Sequence, residues 1–409
     1  MIRLRDNGAG ELRAGCGAES AASPRPVHIA LVLDHPAQHF TRAFQLLAAE
    51  PGVRLDVYYW ELAEHFYDVD FQRSVSWDVD LLSGYPWAAP PRRSAVSRLR
   101  WLIGQLHQAR PDVVVCYGWA SPAARAVISY RAVSRTRMLL YGDTTWQHSS
   151  RGRHPMVRSV VLRTLMRVAD GALSTGTFNR EFYIRYGMHP RRIWPGVCPA
   201  DTAPFGHARA VRGRSVGGDA AGLRIGYAGK LIASKGVDEL LRACSLLPRD
   251  QAWSLTVVGD GPQMAELTGL ANQLGIDDRV SFRGFANVSE MPELLASFDV
   301  VVVPSRFDMR VLVSIEAMAA GAAIVVSDAT AVWGPGDLVA DGITGLVYRS
   351  GEAAALARQL RRLIEDPDLV ARLGTSGAQR AADFGPESFA RTTASSARAC
   401  CATIGRSTG

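Results

Sequence analysis

Short apolar runs alternate with segments of helical periodicity along two separate stretches of the chain. The runs of the first stretch are HIALVLD (28–34), LDVYYW (55–60), DVVVCYG (112–118), RMLLYGD (137–143) and GALSTG (171–176). Continuous apolar runs of this length are typical of strands buried on both faces of a parallel sheet. Between them, FTRAFQLLAAE and SAVSRLRWLIGQLHQA carry apolar residues at helical spacing. The pattern predicts a doubly wound α/β domain.

The same alternation starts again after a segment rich in Gly, Ala, Arg and Ser. The runs of the second stretch are LRIGYAG (223–229), WSLTVVG (253–259), VSFRG (280–284), DVVVVPS (299–305), AAIVVSD (322–328) and GLVY (345–348). We therefore predict two Rossmann-like domains, at 27–198 and 222–385, with a linker over 199–221. Ligands of such sheets bind at the carboxyl ends of the strands, so the turns there are the candidate sites.

Composition and charge agree with two domains of an ordinary globular protein. The chain has 409 residues, of which 47% are hydrophobic and 21% charged, and 409 residues exceed what one core usually covers. Residues 27–200 contain 21 basic and 13 acidic residues, whereas 222–385 contain 15 basic and 20 acidic ones. Opposite signs fit two domains that face each other across a cleft, although a simple drift of surface charge fits as well.

The sequence also predicts the compartment and excludes some partners. Residues 1–26 lack the apolar block of a signal peptide and are predicted to be a disordered leader. The six cysteines show no metal-ligand spacing, which favours free thiols in a cytoplasmic protein. The arginines are scattered without an RNA-binding motif, so we expect no nucleic-acid partner.

The only two lysines of the chain stand together in GKLIASKG (229–236). Lys230 directly follows a predicted strand, after Gly229, and Lys235 is predicted to open the next helix. Two ammonium groups and the positive end of a helix can converge on one anion, and a diphosphate fits that arrangement. Two exposed lysines placed there by chance are the alternative.

Two carboxylates eight residues apart mark a second candidate site. Asp308 follows the strand that ends near Ser305, and Glu316 lies just inside the next helix. One carboxylate can face a sugar and the other ribose hydroxyls, while backbone N–H groups near Val311 and Leu312 point at phosphate. Alternatively, they are an acid in the first turns of a helix and a surface aspartate.

These motifs together resemble the C-terminal half of the family-four glycosyltransferases. GKLIASKGVDELL, VVGDGPQMAEL, VSFRGF, PSRFD…SIEAMAAGAAIVVSD and VADGITGLVY occur in that family's order, over 222–385. The resemblance implies a GT-B fold, transfer from a nucleotide diphosphate sugar with retention, and no metal or other cofactor. It further implies that Lys230 and Lys235 bind the diphosphate, that Glu316 binds ribose, and that Asp308 contacts the sugar.

The resemblance carries some further expectations. Arg283 and Phe285 lie where the family reads the base, and 386–409 should form a helix that packs back on the N-terminal domain before a frayed tail. Three departures stand out: Asp308 replaces a glutamate, Met309-Arg310-Val311 replaces Gly-Phe-Gly, and Asp143 stands where many members have a histidine near the reacting carbon. We infer an unusual donor sugar or acceptor geometry, with Arg310 contacting the donor.

The acceptor is expected at the strand ends of the first domain. Candidate residues there are His35, Gln38, His39, Tyr117, Trp119 and Trp146, with Asp143 positioning the acceptor or polarising its nucleophile. Aromatic faces suit stacking on a ring-bearing acceptor. Core packing is the alternative for each tryptophan, and a satisfied polar residue is the alternative for each histidine.

Two further motifs have competing interpretations. The segment 151–170 is a basic amphipathic helix that could rest on a membrane, but its apolar positions Val157, Val160, Val161, Leu165 and Val168 also suit core packing, which we favour. The DxD motifs at 68–70 and 78–80 lie in an insertion expected to be well away from the phosphate motifs, so no metal role is predicted.

The predicted function is a retaining, metal-independent glycosyltransferase that acts on a small polar acceptor such as a natural-product intermediate. A surface polysaccharide or lipid-linked acceptor is the first alternative. A nucleotide-sugar epimerase of similar fold, which needs no acceptor, and a catalytically weakened binding protein are the others.

Overall fold

A computed structural model of the protein describes residues 25–62, 66–68, 73–75, 78–91, 94–146, 155–212, 222–309 and 311–402. The described strands form two parallel sheets and one antiparallel pair. The strands of the first half are β1 (Val27–Leu33), β2 (Val53–Tyr59), β3 (Phe66–Asp68), β4 (Arg73–Val75), β5 (Trp87–Ala88), β6 (Val113–Tyr117), β7 (Arg137–Gly142), β8 (Gly171–Ser174) and β9 (Ile193–Pro195). Those of the second half are β10 (Leu223–Ala228), β11 (Trp253–Val258), β12 (Val280–Gly284), β13 (Val300–Val303), β14 (Ala323–Ser327) and β15 (Leu346–Tyr348).

Helices connect the strands in both halves. Those of the first half are α1 (Gln38–Ala48), α2 (Ala95–Ala109), α3 (Pro122–Val133), α4 (Pro155–Val168), α5 (Thr177–Arg185) and α6 (Ala203–Arg212). Those of the second half are α7 (Val237–Ser245), α8 (Met264–Gln273), α9 (Met291–Ala296), α10 (Leu312–Ala319), α11 (Ala353–Glu365), α12 (Pro367–Ala381) and α13 (Pro386–Ala402).

Each sheet has the strand order of a doubly wound domain. The first runs β5-β2-β1-β6-β7-β8-β9 and the second runs β12-β11-β10-β13-β14-β15, and every pairing within them is parallel. In both sheets the order reverses beside the first strand, β1 or β10. The crevice at this reversal is where such sheets bind ligands.

Alternating residues of each strand pack into different cores, as the two faces of a pleated strand require. Ile29 and Leu31 of β1 pack with α1 and α13, whereas Ala30 and Val32 pack with α2, α3 and α4. The core around α1 continues into the second sheet, where it includes Val301. One hydrophobic core therefore joins the two halves.

Helix α13 packs against the first domain although it follows the second domain in the sequence. The ring of Phe389 lies 6.1 Å from that of Phe40, 5.9 Å from that of Phe44 and 5.8 Å from that of Tyr141. The guanidinium of Arg398 also donates to the backbone oxygen of Pro51 at 2.6 Å. The covering of α1 thus depends on the last described helix.

Every predicted strand is present, within three residues at each end, but some elements were missed. The two-residue β5, the three-residue β9 and the antiparallel pair β3–β4 are too short to show a pattern in sequence. Within the segment predicted as a linker, residues Ala203–Arg212 form α6, and 213–221 lie outside the described residues. The predicted leader, except for its last two residues, and the tail after 402 lie there too.

The preference for core packing of α4 is wrong for half of the helix. The side chains of Val157, Val160 and Val161 are exposed, whereas Leu165 is buried and Val168 is half-buried. The core-facing stripe is instead made by Leu162, Leu165, Met166 and Ala169. Both faces carry apolar residues, so spacing alone could not show which face turns inward.

Candidate active site

A cavity of about 550 Å³ lies between the two domains at the carboxyl ends of β1 and β10. The first domain and α6 contribute Gln38, His39, Thr41, Arg42, Gln45, Val79, Asp80, Asp201, Pro204 and Phe205. The second domain contributes Ala228, Gly229, Val258, Gly259, Phe285, Ala286, Val288, Ser289, Met291, Pro292, Val313 and Glu316. Five predicted site residues therefore meet here: Gln38, His39, Gly229, Phe285 and Glu316.

Backbone forms the floor of the cavity on the side of the second domain. Gly229 and Gly259 follow the neighbouring strands β10 and β11, and Gly259 has φ +141°. A Cβ atom at Gly259 would lie 1.8 Å from the backbone oxygen of Gly229. A side chain there is sterically excluded, so glycine lets the two turns pack closely, and both turns line the cavity.

Glu316 is a half-buried acid on the wall of the same cavity. It is the fifth residue of α10 and lines the cavity. Burial disfavours the charged carboxylate and raises the pKa of Glu316 to about 7. The acid is thus poised between its neutral and charged forms near neutral pH.

Lys235, in the loop after β10, and Asp308, in the loop after β13, form an ion pair. The Lys235 ammonium donates to the Asp308 carboxylate, which also accepts from Ser305 Oγ at 3.3 Å. Gly236, with φ +69°, brings this loop against the end of β13, since a Cβ there would lie 2.1 Å from the Pro304 oxygen. The predicted diphosphate cation and the predicted sugar-contacting acid therefore lie side by side.

The position of Lys235 in the fold differs from the prediction. Helix α7 begins at Val237, and Lys235 ends a single 3₁₀ turn before it, because Gly236 in its left-handed conformation separates the two. Lys230 is half-buried, and its carbonyl accepts from Tyr227 Oη at 2.8 Å. Neither lysine is among the described residues that line the cavity.

The remaining predicted donor residues are placed as follows. Val311 is buried and precedes α10, which begins at Leu312 as expected, and Met309 is half-buried beside it. Arg310 lies outside the described residues. The exposed Arg283 pairs with Glu290 at 2.9 Å and is not among the described residues that line the cavity, whereas Phe285 is.

The first two residues of α1 turn polar atoms towards the cavity. Gln38 Oε1 and His39 Nε2 are buried, and neither has a hydrogen-bond partner among the described residues. Burial, together with the nearby His35, lowers the pKa of His39 to about 4, so this imidazole is neutral at physiological pH. Buried polar atoms without partners carry a cost that a ligand can relieve.

The other predicted acceptor residues lie outside the cavity lining. His35 is exposed, and the ring of Tyr117 packs 5.5 Å from that of Phe40. The Arg158 guanidinium covers the ring of Trp119 at 5.2 Å, and that of Arg185 covers Trp146 at 5.1 Å. These contacts occupy one face of each tryptophan, as the packing alternative expects.

Asp143 is half-buried after β7, close to Tyr183 of α5. Burial is the main cause of the raised pKa of the Tyr183 phenol, and the negative charge of Asp143 adds to it. Asp143 does not line the cavity between the domains. Its predicted position near the reacting carbon stays a prediction.

Two charged residues that the sequence analysis did not single out, Arg42 and Asp201, also line the cavity. Burial raises the pKa of Asp201, and the charge of Arg42 lowers it in part. Arg42 could have been found from the helical spacing of Gln38, Arg42 and Gln45, because this spacing places the three polar side chains on one face of α1.

The insertion that carries the second DxD motif is not remote from the site, contrary to expectation. Ser289 Oγ donates to the Asp78 carboxylate across the domain boundary, and Asp80 lines the cavity. Sequence could not show this, because the insertion reaches Ser289 across 211 residues. Among the described residues, no cluster of three His, Cys, Asp or Glu side chains could hold a metal ion.

Comparison with known proteins assigns the chain to a family. Residues 220–380 match the family described as Glycosyl transferases group 1. The D-inositol 3-phosphate glycosyltransferase of Streptomyces coelicolor is 31% identical over 335 residues, which cover 75% of this chain and 70% of that relative. The chain belongs to the group 1 glycosyl transferases. It is accordingly a glycosyltransferase.

Other relatives of this glycosyltransferase extend the comparison. The alpha-D-kanosaminyltransferase of Streptomyces kanamyceticus is 31% identical over 153 residues, which cover 37% of this chain and 39% of that relative. The crystal structure of Anabaena HepE in complex with UDP superposes with a TM-score of 0.70 at 17% identity, covering 91% of this chain and 100% of that one. The predicted GT-B fold of two Rossmann-like domains is confirmed. None of the described helices is long and apolar enough to cross a bilayer.

Proposed function

We propose that this glycosyltransferase moves a sugar from a nucleotide diphosphate sugar to a small polar acceptor, with retention at the anomeric carbon and without a metal ion. The observation that carries the proposal is the cavity between the domains, where Gly229 and Glu316 face Gln38 and His39. One wall suits a nucleotide, and the other offers polar atoms to a second substrate.

The wall of the second domain holds the sugar donor in this proposal. Bare backbone at Gly229 and Gly259 lets a diphosphate approach, and Lys230 and Lys235 neutralise its charge. Lys235 then exchanges part of its contact with Asp308 for phosphate, which leaves Asp308 able to accept from a sugar hydroxyl. Glu316, in its charged form, accepts from the ribose hydroxyls, while Phe285 lies against the base.

The transfer itself needs little from the protein beyond positioning. The acceptor oxygen forms a bond to the anomeric carbon as the bond from that carbon to the phosphate oxygen breaks on the same face. The acceptor proton passes to the leaving phosphate, whose negative charge the two lysines stabilise. This scheme rests on the family resemblance.

The wall of the first domain is the proposed acceptor site. Gln38 Oε1 can accept from a hydroxyl or amine, and the neutral His39 can donate or accept. Arg42 and Asp201 offer both charges to a polar acceptor. Similarity to the alpha-D-kanosaminyltransferase of Streptomyces kanamyceticus supports a natural-product intermediate as the acceptor.

A titration of the protein with nucleoside diphosphates tests the donor site. We would measure the binding of UDP, GDP, dTDP and NAD by calorimetry in EDTA, for the wild type, Lys230→Ala and Lys235→Ala. A charge-assisted phosphate contact contributes about 1.5–3 kcal/mol, so each mutation should weaken binding about 10- to 150-fold. Arg242→Ala, which removes an exposed cation on α7, is the matched control and should bind as the wild type does.

The outcomes separate the parts of the proposal. Loss of binding in both lysine variants supports the diphosphate site, and the preferred base narrows the search for the donor. Binding that needs a divalent metal contradicts the metal-independent mechanism, and unchanged binding by both lysine variants contradicts the donor site. Once the donor is known, the anomeric configuration of the product by NMR tests retention.

One observation favours a second candidate, an acceptor held at a lipid surface. Helix α4 exposes an apolar face on the first domain, beside the predicted acceptor residue Trp119. The donor chemistry would be the same, and the acceptor would be a polar head group on a lipid.

A further inference from the structure

The outer face of α4 carries an exposed apolar ridge. The ridge consists of Met156, Val157, Val160 and Val161, whose side chains are 82%, 65%, 64% and 51% exposed. These positions fall on one side of the helix, opposite the buried Leu162, Leu165 and Met166. The helix is therefore apolar on two opposite faces, of which the first sheet covers one.

Positive charge flanks the ridge, and no acid opposes it within the helix. Arg163 and Arg167 are exposed along one border, and α4 contains no Asp or Glu. The N-terminal half as a whole carries 21 basic and 13 acidic residues between 27 and 200. An exposed apolar ridge bordered by arginines has the character of a helix that lies in a membrane interface.

The charge also decides against a second copy of the chain as the occupant. A symmetric contact through the ridge would bring Arg163 and Arg167 of both copies to one interface, where the like charges repel. An anionic surface neutralises them instead and leaves the valines to enter the acyl boundary. We propose that α4 docks this protein on an anionic lipid membrane, with the helix lying parallel to the surface.

The position of α4 gives this docking a consequence for the site. The helix follows β7, so its first turn lies at the carboxyl ends of the strands, and Arg158 of that turn covers Trp119, which follows β6. The membrane would then lie beside the first domain at the edge where its strands face the cleft. The proposal concerns docking alone and does not depend on the identity of the sugar donor.

Sedimentation with lipid vesicles tests the docking without any sugar transfer. The full chain is mixed with vesicles of phosphatidylcholine, or of phosphatidylcholine and phosphatidylglycerol in equal parts, and the bound fraction is measured. We expect binding to the anionic vesicles, weakened by salt because the attraction is screened. Binding to the neutral vesicles should be much weaker.

Two variants separate the apolar and the charged contributions. V157S/V160S/V161S should lower partitioning to anionic vesicles more than tenfold, since three apolar side chains no longer enter the interface. R163S/R167S should lower it roughly 20- to 30-fold, since each arginine near an anionic surface contributes about fivefold. V211S removes a valine that is 75% exposed on α6, away from the ridge, and should bind like the wild type.

The vesicle measurements either support or overturn the membrane docking of α4. Wild-type binding that both variants lose, with unfolding curves unchanged, supports the proposal. Failure of the wild type to bind anionic vesicles overturns it, and so does binding that neither variant weakens. A wild-type dimer that V157S/V160S/V161S converts to monomer, without vesicle binding, would assign the ridge to a second copy instead.

Discussion

Glu316 shows how one half-buried acid can couple the proposed sugar-donor site to pH. The protein around it disfavours the carboxylate, and no hydrogen bond to it is seen among the described residues that would offset this cost. Ribose hydroxyls can supply such bonds, and they do so best to the charged form. Ligand binding should therefore draw a proton off Glu316.

The pH dependence of nucleoside diphosphate binding tests this coupling. With a pKa of about 7 in the ligand-free protein, Glu316 is mostly neutral at about pH 6 and mostly charged at about pH 8. Binding should strengthen as pH rises through this range, contributing about tenfold in Kd if only the charged form accepts from ribose.

Glu316→Gln is the control for this prediction. The phosphate of the ligand also titrates in this range, but it does so equally with both proteins. Calorimetry at both pH values should give a ratio of dissociation constants about tenfold larger for the wild type than for Glu316→Gln. Equal ratios for the two proteins would remove Glu316 from the ribose site.

At the scale of elements, the strands were the most predictable part of the fold. Parallel strands such as β1 and β13 are buried on both faces, so they appear in the sequence as unbroken apolar runs. Helix α4 was harder, because both of its faces are apolar and the buried one is chosen by contact with the sheet. The start of α7 was misplaced by two residues because Gly236 takes a left-handed conformation that its sequence permits but does not require.

Gly236 is also the point where the loop of Lys235 is fixed against β13. Gly236→Ala would place a Cβ atom against the Pro304 oxygen in a left-handed conformation, and we expect it to lower the free energy of unfolding by about 2–4 kcal/mol. Chemical denaturation measures this.

Gly269→Ala supplies the comparison within the same domain. A Cβ atom at Gly269 of α8 would have nothing within 4 Å, so this change should stabilise the protein by about 0.5–1 kcal/mol. If Gly236→Ala were as stable as the wild type, the loop of Lys235 would not be held by backbone contact.

At the scale of the whole molecule, the cleft between the domains could be predicted from the sequence, but not all of the residues that line it. Gly229 and Glu316 could be found because each belongs to a local motif, and so could His39 at a strand end. Asp201 belongs to no such motif, and Asp80 belongs to a DxD motif that was expected to lie away from the phosphate motifs. Both join the site because the two domains pack together. Pairings across long stretches of chain depend on tertiary contacts that local patterns do not encode.

The packing of α13 on the first domain can be measured through Phe389. Its ring is buried among Phe40, Phe44 and Tyr141, so Phe389→Ala should lower the free energy of unfolding by about 3–5 kcal/mol. Ile343→Ala removes a side chain that is 67% exposed and should change it by less than about 0.5 kcal/mol. If Phe389→Ala lowered the free energy of unfolding by less than about 1 kcal/mol, the packing of α13 would not stabilise that core.

The same helix sets the order in which the protein can be completed during its synthesis. A ribosome makes the strands and helices of the first domain early, but α13 cannot cover Phe40 and Phe44 until it has left the exit tunnel, after the whole second domain has been made. The second domain, whose strands and flanking helices α7 to α12 lie together in the chain, can close sooner. The half that is made first is therefore the half that finishes last, and a fragment that stops before α13 would display aromatic surface to chaperones or to other copies.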